Sequence, residues 1–357
     1  MRILGRRRAG TDATTVALAG AGAIAVVHAL AAPEAGCRVT AVASAGGSSA
    51  RHLAGQLDEQ SRHPVRNVAV EQLPAGADLL VVATPPDSHS ELVLVGLAAG
   101  ADVLVEKPLT TTLAEADRLV EAASAPGAPL LRCAENLLHA PAWTAAVAHR
   151  RGMGTLGHLS AATRGTPPSW GHFERPLTAG GVLFDLGPHP LALVMELAAE
   201  RVVGVSATLS STRADGADDD ASVSLRFTSG LVASVDVSWT ATDPEWFVQA
   251  ASDGGVVRLE LYPEVTLELD GEAVGIPSRY PDAADVRLEQ MGYIDQLRSI
   301  VAEATGTPVA SGQGAEAARD VLEVICAAYA SAGAGGAEVP VPFTGDRTRT
   351  PMQLWHS

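Results

Sequence analysis

From Thr14 to about Leu131 the chain alternates short apolar runs with stretches of helical periodicity. The runs Thr15–Ala19, Arg38–Ala43, Asp78–Ala83, Asp102–Val105 and Pro129–Cys133 are rich in Val or Leu, as strands buried on both faces of a parallel sheet should be. Between them, Ile24–Ala32, Ser49–Gln56, Ser88–Ala99 and Leu113–Ala123 read as crossover helices. Ser88, with Glu91 three residues on, predicts a capping box at the third of these. Strand–helix–strand alternation implies a doubly wound, mostly parallel sheet, an α/β domain over residues 14–134.

The pattern changes near residue 135. A helix is predicted over Ala140–Arg151, then a loop heavy in Gly, Pro and Thr up to Pro176. Apolar alternation of period two follows in Ser222–Phe227, Leu231–Trp239, Phe247–Ala251, Val256–Leu261 and Val265–Leu269. Val223, Leu225 and Phe227 share one face, as do Val235, Val237 and Trp239, and Thr228-Ser229-Gly230 is a hairpin turn. Ala214–Asp220, with its four acids, reads as a solvated loop. Asp285–Glu303 and Glu316–Ser331 read as helices, with Ala332–Ala337 a flexible linker. Residues 135–345 therefore predict an α+β domain with an open, mainly antiparallel sheet, flanked by a disordered leader (1–13) and a C-terminal tail (346–357).

Composition narrows the partners. The 357 residues suit two domains, and 47% hydrophobic against 18% charged content supports a sizeable core. A net charge of −16 repels phosphodiester backbones and anionic lipid, which argues against nucleic acid and membrane partners. Cys37, Cys133 and Cys326 have neither disulfide nor metal spacing, so they read as small buried residues of a cytoplasmic protein. Arg6-Arg7-Arg8 before the apolar run Val16–Ala32 imitates an export signal, but cleavage after it would remove the first strand.

That same run contains Gly20-Ala21-Gly22-Ala23-Ile24-Ala25 between a strand and a helix. Gly20 permits a tight turn, Gly22 lets the backbone approach a pyrophosphate, and Ala25 lets helix and strand pack closely. Phosphate would sit on the free N–H groups of the helix start. An ordinary strand-to-helix turn is the competing reading. The second strand ends at Ser44, about twenty residues beyond the turn, where an NAD-specific protein places an acid. With Arg51 nearby, that tilts NAD or NADP toward NADP, although Ser44 also reads as a plain turn residue.

Two more segments end strands at the expected cofactor mouth: Thr84-Pro85 with His89, and Glu106-Lys107-Pro108. Partial desolvation would tune Lys107 for proton chemistry, and a following proline suits a cis bond; a surface lysine at a strand end is the alternative. In Gly180-Gly181-Val182-Leu183-Phe184-Asp185-Leu186-Gly187-Pro188-His189, a continuous helix would set Asp185 one turn from His189, a carboxylate orienting a general base. Pro188 either kinks that helix or begins a new one, and His189 also reads as incidental to a helix start. No cluster of His, Cys or Asp has ligand spacing, so no metal is expected.

Together with Ala134-Glu135-Asn136, these segments resemble the glucose-fructose oxidoreductase/inositol dehydrogenase (Gfo/Idh/MocA) family, in order and over nearly the whole chain. The resemblance implies an oxidoreductase that moves a hydride between nicotinamide and a sugar, inositol or related polyol. Lys107, Asp185 and His189 are then catalytic, with His189 exchanging the proton and Lys107 polarising the reacting oxygen. The dinucleotide falls to Gly20, Gly22, Ala23, Ile24, Ser44, Thr84, Pro85, His89, Glu106, Lys107 and Asn136. The substrate falls to Lys107, Asn136, Arg164, Trp170, His172, Asp185 and His189, with His172 alternatively a solvated loop residue. A homodimer or homotetramer through the C-terminal sheet is also implied. Two other functions remain open: a glycosidase that oxidises transiently with tightly bound NAD, and a non-catalytic dinucleotide-binding regulator.

Overall fold

A computed structural model describes residues 13–60, 63–169, 177–307 and 314–356. Trp170, His172 and nearly all of the expected leader lie outside them. The chain forms two compact units, with elements numbered along the chain. The first unit takes in the described residues up to Glu106, together with Arg118–His139 and Ser278–Ala315, a segment expected from sequence in the second domain. Its sheet consists of β1 (Thr14–Ala19), β2 (Cys37–Ala43), β3 (Arg66–Asn67), β4 (Leu79–Val82), β5 (Asp102–Glu106) and β6 (Leu131–Ala134), in the order β3-β2-β1-β4-β5-β6. Every pairing is parallel. Burial on both faces explains the unbroken apolar strands: all four residues of β4, and Val16 to Ala19 of β1, are buried.

The helices α1 (Ala23–Glu34), α2 (Ser48–Gln60), α3 (His89–Ala98) and α4 (Leu113–Ser124) follow β1, β2, β4 and β5. Two more, α8 (Val286–Gln290) and α9 (Tyr293–Ala304), replace the single helix expected there; Gly292, with φ of +82°, separates them. Leu288, Ile294, Leu297 and Ile300 from this pair share a core with Ala25, Ala29 and Ala32 of α1. The expected capping box at Ser88 does not form. A 3₁₀ turn over Pro86–Ser88 leads into α3, and the Ser88 hydroxyl donates to Thr84 Oγ1 (2.7 Å) and the Pro85 carbonyl (2.9 Å) instead.

In the second unit, β7 (His158–Arg164), β8 (Val202–Ser210), β9 (Asp220–Phe227), β10 (Val232–Ser238), β11 (Glu245–Ser252), β12 (Gly255–Tyr262), β13 (Thr266–Leu269), β14 (Glu272–Val274) and β15 (Val339–Pro340) form one sheet. Its order is β14-β13-β12-β11-β7-β10-β9-β8-β15, antiparallel except where β7 pairs with β10. The helices of this unit are α5 (Pro141–Arg150), α6 (Val182–Asp185), α7 (Pro188–Ala198), α10 (Ala315–Gly333) and α11 (Pro351–Trp355). Alternation holds as expected: Val223, Leu225 and Phe227 are buried while Ser222 and Arg226 are exposed. Gly230 turns the hairpin at φ of +92°.

Three sequence expectations change here. The stretch read as a loop to Pro176 contains β7 at the centre of the sheet; its buried Ala161, Ala162 and Thr163 carry too little apolar weight to mark a strand. Ala214–Asp220 is not a solvated loop throughout, since Asp218 and Asp219 are 0% and 3% exposed. Ala332–Ala337 is a hydrogen-bonded helix cap, with Gly336 N donating to the Ser331 carbonyl (2.8 Å) and Ser331 Oγ to that of Ala337 (2.7 Å). All three cysteines are buried, and burial pushes the Cys37 thiol up to about 11.

Candidate active site

The strand order of the first unit reverses between β1 and β4, and crevices at such switch points bind ligands at the carboxyl strand ends. Gly20 follows β1 with φ of +114°, and a Cβ there would lie 2.2 Å from the Ala83 carbonyl oxygen beyond β4. Only glycine fits. Gly22 is the N-cap of α1 and supplies no side-chain cap, so the first amides of α1, at Ala23 and Ile24, gain no bond from a capping side chain. Among the described residues, a Cβ on Gly22 would meet no atom within 4 Å beyond its own chain neighbours. An uncapped helix start beside open space is what a pyrophosphate requires, so these residues fit a dinucleotide.

The other expected cofactor residues sit at the same strand ends. Ser44 follows β2, where its hydroxyl accepts from Ala50 N (3.3 Å) and lies 3.1 Å from Ser49 Oγ. Beyond β4, the wholly buried His89 bonds through Nε2 to the Thr84 carbonyl (2.9 Å), bracing the Thr84-Pro85 loop from within. Glu106, ending β5, is buried with its carboxylate 2.7 Å from His28 Nε2 of α1. Asn136, just past β6, donates from Nδ2 to the Met291 carbonyl (2.7 Å). Nearby Tyr293 is pushed above the usual phenol range by burial, then by Glu106 and Glu135.

In the second unit the chain passes Lys107 through a cis bond to Pro108. Lys107 Nζ donates to the carbonyl of Asp185 (2.7 Å) and to its Oδ1 (3.0 Å), with the two side chains 17% and 19% exposed. Asp185 ends α6, and Pro188 opens α7 at a first-turn position where its missing N–H has no partner to lose. The helix therefore restarts, with Asp185 and His189 on successive helices joined by Leu186 and Gly187, which keep right-handed helical dihedrals. The His189 ring stands 6.2 Å from that of Trp246 on β11.

Arg164 is not brought to this group. Side chains alternate along β7, so it faces opposite to Thr163, whose partner across the ladder is Trp246. Arg164 pairs instead with Asp236 (3.1 Å) and Glu245 (2.9 Å) on the open face of the sheet. Sequence reading missed Asp218 and Tyr329, which meet at 2.5 Å beside Gly181. Burial pushes the Asp218 carboxyl up, against bonds from Tyr329, Leu183 and Gly181 that pull it down. It also missed His28, a polar residue midway along the largely apolar α1.

Residues 14–131 match the oxidoreductase family model of the NAD-binding Rossmann fold, and residues 147–272 match the Gfo/Idh/MocA C-terminal domain. The chain is 38% identical over 116 residues to a dTDP-3,4-didehydro-2,6-dideoxy-alpha-D-glucose 3-reductase of Streptomyces antibioticus, covering 32% of this chain and 35% of that one. It is 27% identical over 295 residues to an inositol 2-dehydrogenase of Rhizobium meliloti strain 1021, covering 80% and 87%. The match thus spans about a third of the first relative's length and most of the second's. Among solved structures, GenD2 from gentamicin A biosynthesis, in complex with NAD, has 26% identity and a TM-score of 0.78, covering 95% of this chain and 99% of that one. The two family matches, lying in register with the turn at Gly20 and the sheet built around β7, show that the chain belongs to the Gfo/Idh/MocA oxidoreductase family.

Proposed function

We propose that the protein is an NAD(P)-dependent oxidoreductase that interconverts a secondary alcohol of a sugar, inositol or related polyol with its ketone. The observation that carries this reading is the Lys107 ammonium held by two oxygens of Asp185, with His189 opening the next helix. Gly20, Gly22, Ala23 and Ile24 would hold the pyrophosphate, and Ser44, the Thr84-Pro85 loop and the end of β5 the rest of the dinucleotide. The bound nicotinamide supplies the hydride acceptor in one direction and the donor in the other.

The chain's own residues handle the proton. The His189 imidazole accepts the hydroxyl proton during oxidation and returns it during reduction. Lys107 points an N–H at the same oxygen and stabilises the negative charge that develops there. Asp185 anchors that ammonium and so fixes its position. Ser44, in place of an acid, does not repel a 2′-phosphate, which favours NADP. The open sheet face, with Ser222 and Ser234 exposed and Arg258 stacked over Phe247, supports pairing of copies into a dimer or tetramer. Among the described residues no helix is long and apolar enough to cross a membrane, and we read the protein as cytoplasmic.

A panel of sugars, inositols and sugar ketones, each offered with NAD and with NADP, tests this through the near-ultraviolet absorbance of reduced nicotinamide. The expected result is turnover of at least one member, with tighter binding of NADP than NAD. Release of aglycone from nitrophenyl glycosides without net cofactor reduction would overturn the oxidoreductase reading. Equal affinity for the two dinucleotides would remove the preference.

A further inference from the structure

We infer that Asp218 is a positioning residue, holding one end of α6 so that Asp185 at the other end meets Lys107. The inference rests on the role proposed above for Lys107. Three successive amides bond to this one residue: Gly181 N to Oδ1 (2.7 Å), Val182 N to the main-chain carbonyl (2.8 Å) and Leu183 N to Oδ2 (2.8 Å). Helix starts leave such amides without intrahelical partners, and a single four-residue turn has no stability of its own. The placement of α6 is therefore set by what grips it. The turn closes when Asp185 N donates to the Gly181 carbonyl (3.0 Å), so Asp185 stands one bond from the gripped end.

Lys107 donates to both the main chain and the side chain of Asp185. A shift of the turn would move both acceptors together. Asp218 is itself held, since the wholly buried Tyr329 of α10 donates to its Oδ1 at 2.5 Å. The fit is also tight: a Cβ on Gly181 would lie 1.9 Å from the Asp218 carbonyl oxygen. A buried carboxylate can serve stability alone. Here, however, the gripped amides and the two Asp185 oxygens that Lys107 bonds belong to one turn of helix, which links Asp218 to the reacting end.

The test uses Asp218→Asn, Tyr329→Phe and Lys107→Ala in the full chain. Asparagine keeps the shape but turns an NH2 toward a donor, releasing part of the grip. Asp218→Asn should lower kcat about 10- to 100-fold while the dissociation constant of the dinucleotide stays within about twofold, because small misplacements of a reacting group act on the chemical step. In the Lys107→Ala background the same change should cost less than about threefold, as expected when both act through one group. A small acylating reagent, followed by mass spectrometry, should modify Lys107 faster in Asp218→Asn than in the parent. Unchanged kcat, a full multiplicative loss without Lys107, or an equal loss of dinucleotide affinity would each overturn the inference. If Asp218→Asn does not fold, Tyr329→Phe, which keeps the three amide bonds to Asp218 but removes the hydroxyl that also accepts from Gly181 N (3.1 Å), goes through the same cycle with about a 3- to 10-fold effect expected. If Lys107→Ala turns over like the parent, the role of Lys107 fails. The acylation rate then decides the inference alone, a faster rate supporting it and an equal rate overturning it.

Discussion

At the scale of single residues, the Lys107–Asp185 pair lies between a surface and a buried ion pair. Its side chains are 17% and 19% exposed, so the attraction is less screened than on a surface, where such pairs contribute about 0–1 kcal/mol. One member also bonds through its main chain, so removing the Asp185 carboxylate would not free the lysine entirely. The lysine is therefore the sharper target. Lys107→Ala should lower kcat about 10²- to 10⁴-fold, the usual contribution of a positioned proton-handling group, and leave dinucleotide affinity within about twofold. Lys107→Arg should not restore it, since a planar fork cannot reproduce the point charge on two oxygens of one residue. Steady-state rates with fluorescence titration of the dinucleotide check both, and parent-like turnover in Lys107→Ala would sink the assignment.

At the scale of elements, the turn between β1 and α1 has two demands on one residue. Gly20 must adopt φ of +114° and must also leave room for the Ala83 carbonyl. Gly20→Ala violates both, so it should weaken dinucleotide binding by at least about tenfold and lower the thermal midpoint as β1 or β4 gives way. Calorimetric titration beside a melting curve checks this; unchanged affinity would show that the turn does not hold the cofactor. This turn was legible in the sequence because its constraint is local, a few residues between an apolar strand and a helix. So was a break at Pro188, as a kink or a restart, since proline acts on its own backbone. The strand β7 was not legible, because Ala161, Ala162 and Thr163 owe their burial to strands that arrive later in the chain. Asp218 was not legible either. Its partner Gly181 stands 37 positions away, and among neighbouring acids its own side chain reads as solvated.

At the scale of the whole molecule, a chain with a net charge of −16 at neutral pH repels itself, and mild acid relieves that repulsion. Among the groups that act in the opposite direction, one in each unit is shifted far enough to set a pH window. Burial lowers His139 in the first unit from 6.5 to about 4. Its unfolded form takes up a proton below about pH 6.5 and its folded form only near pH 4, so stability falls across that window. In the second unit, the bond from Arg213 lowers Asp215 from 3.8 to about 2. Its stabilisation is fully present above pH 3.8 and lost as pH falls toward 2. Thermal midpoints measured from neutral pH downward should therefore decline in two stages, after allowance for the general relief of repulsion. His139→Gln cannot take up a proton in either state, so it should flatten the first stage and leave the second. Asp215→Asn should lower the midpoint above about pH 4 and converge with the parent near pH 2, because protonated aspartate and asparagine then carry the same charge. A His139→Gln profile parallel to the parent's through the first window would mean that another group sets the acid sensitivity of the first unit.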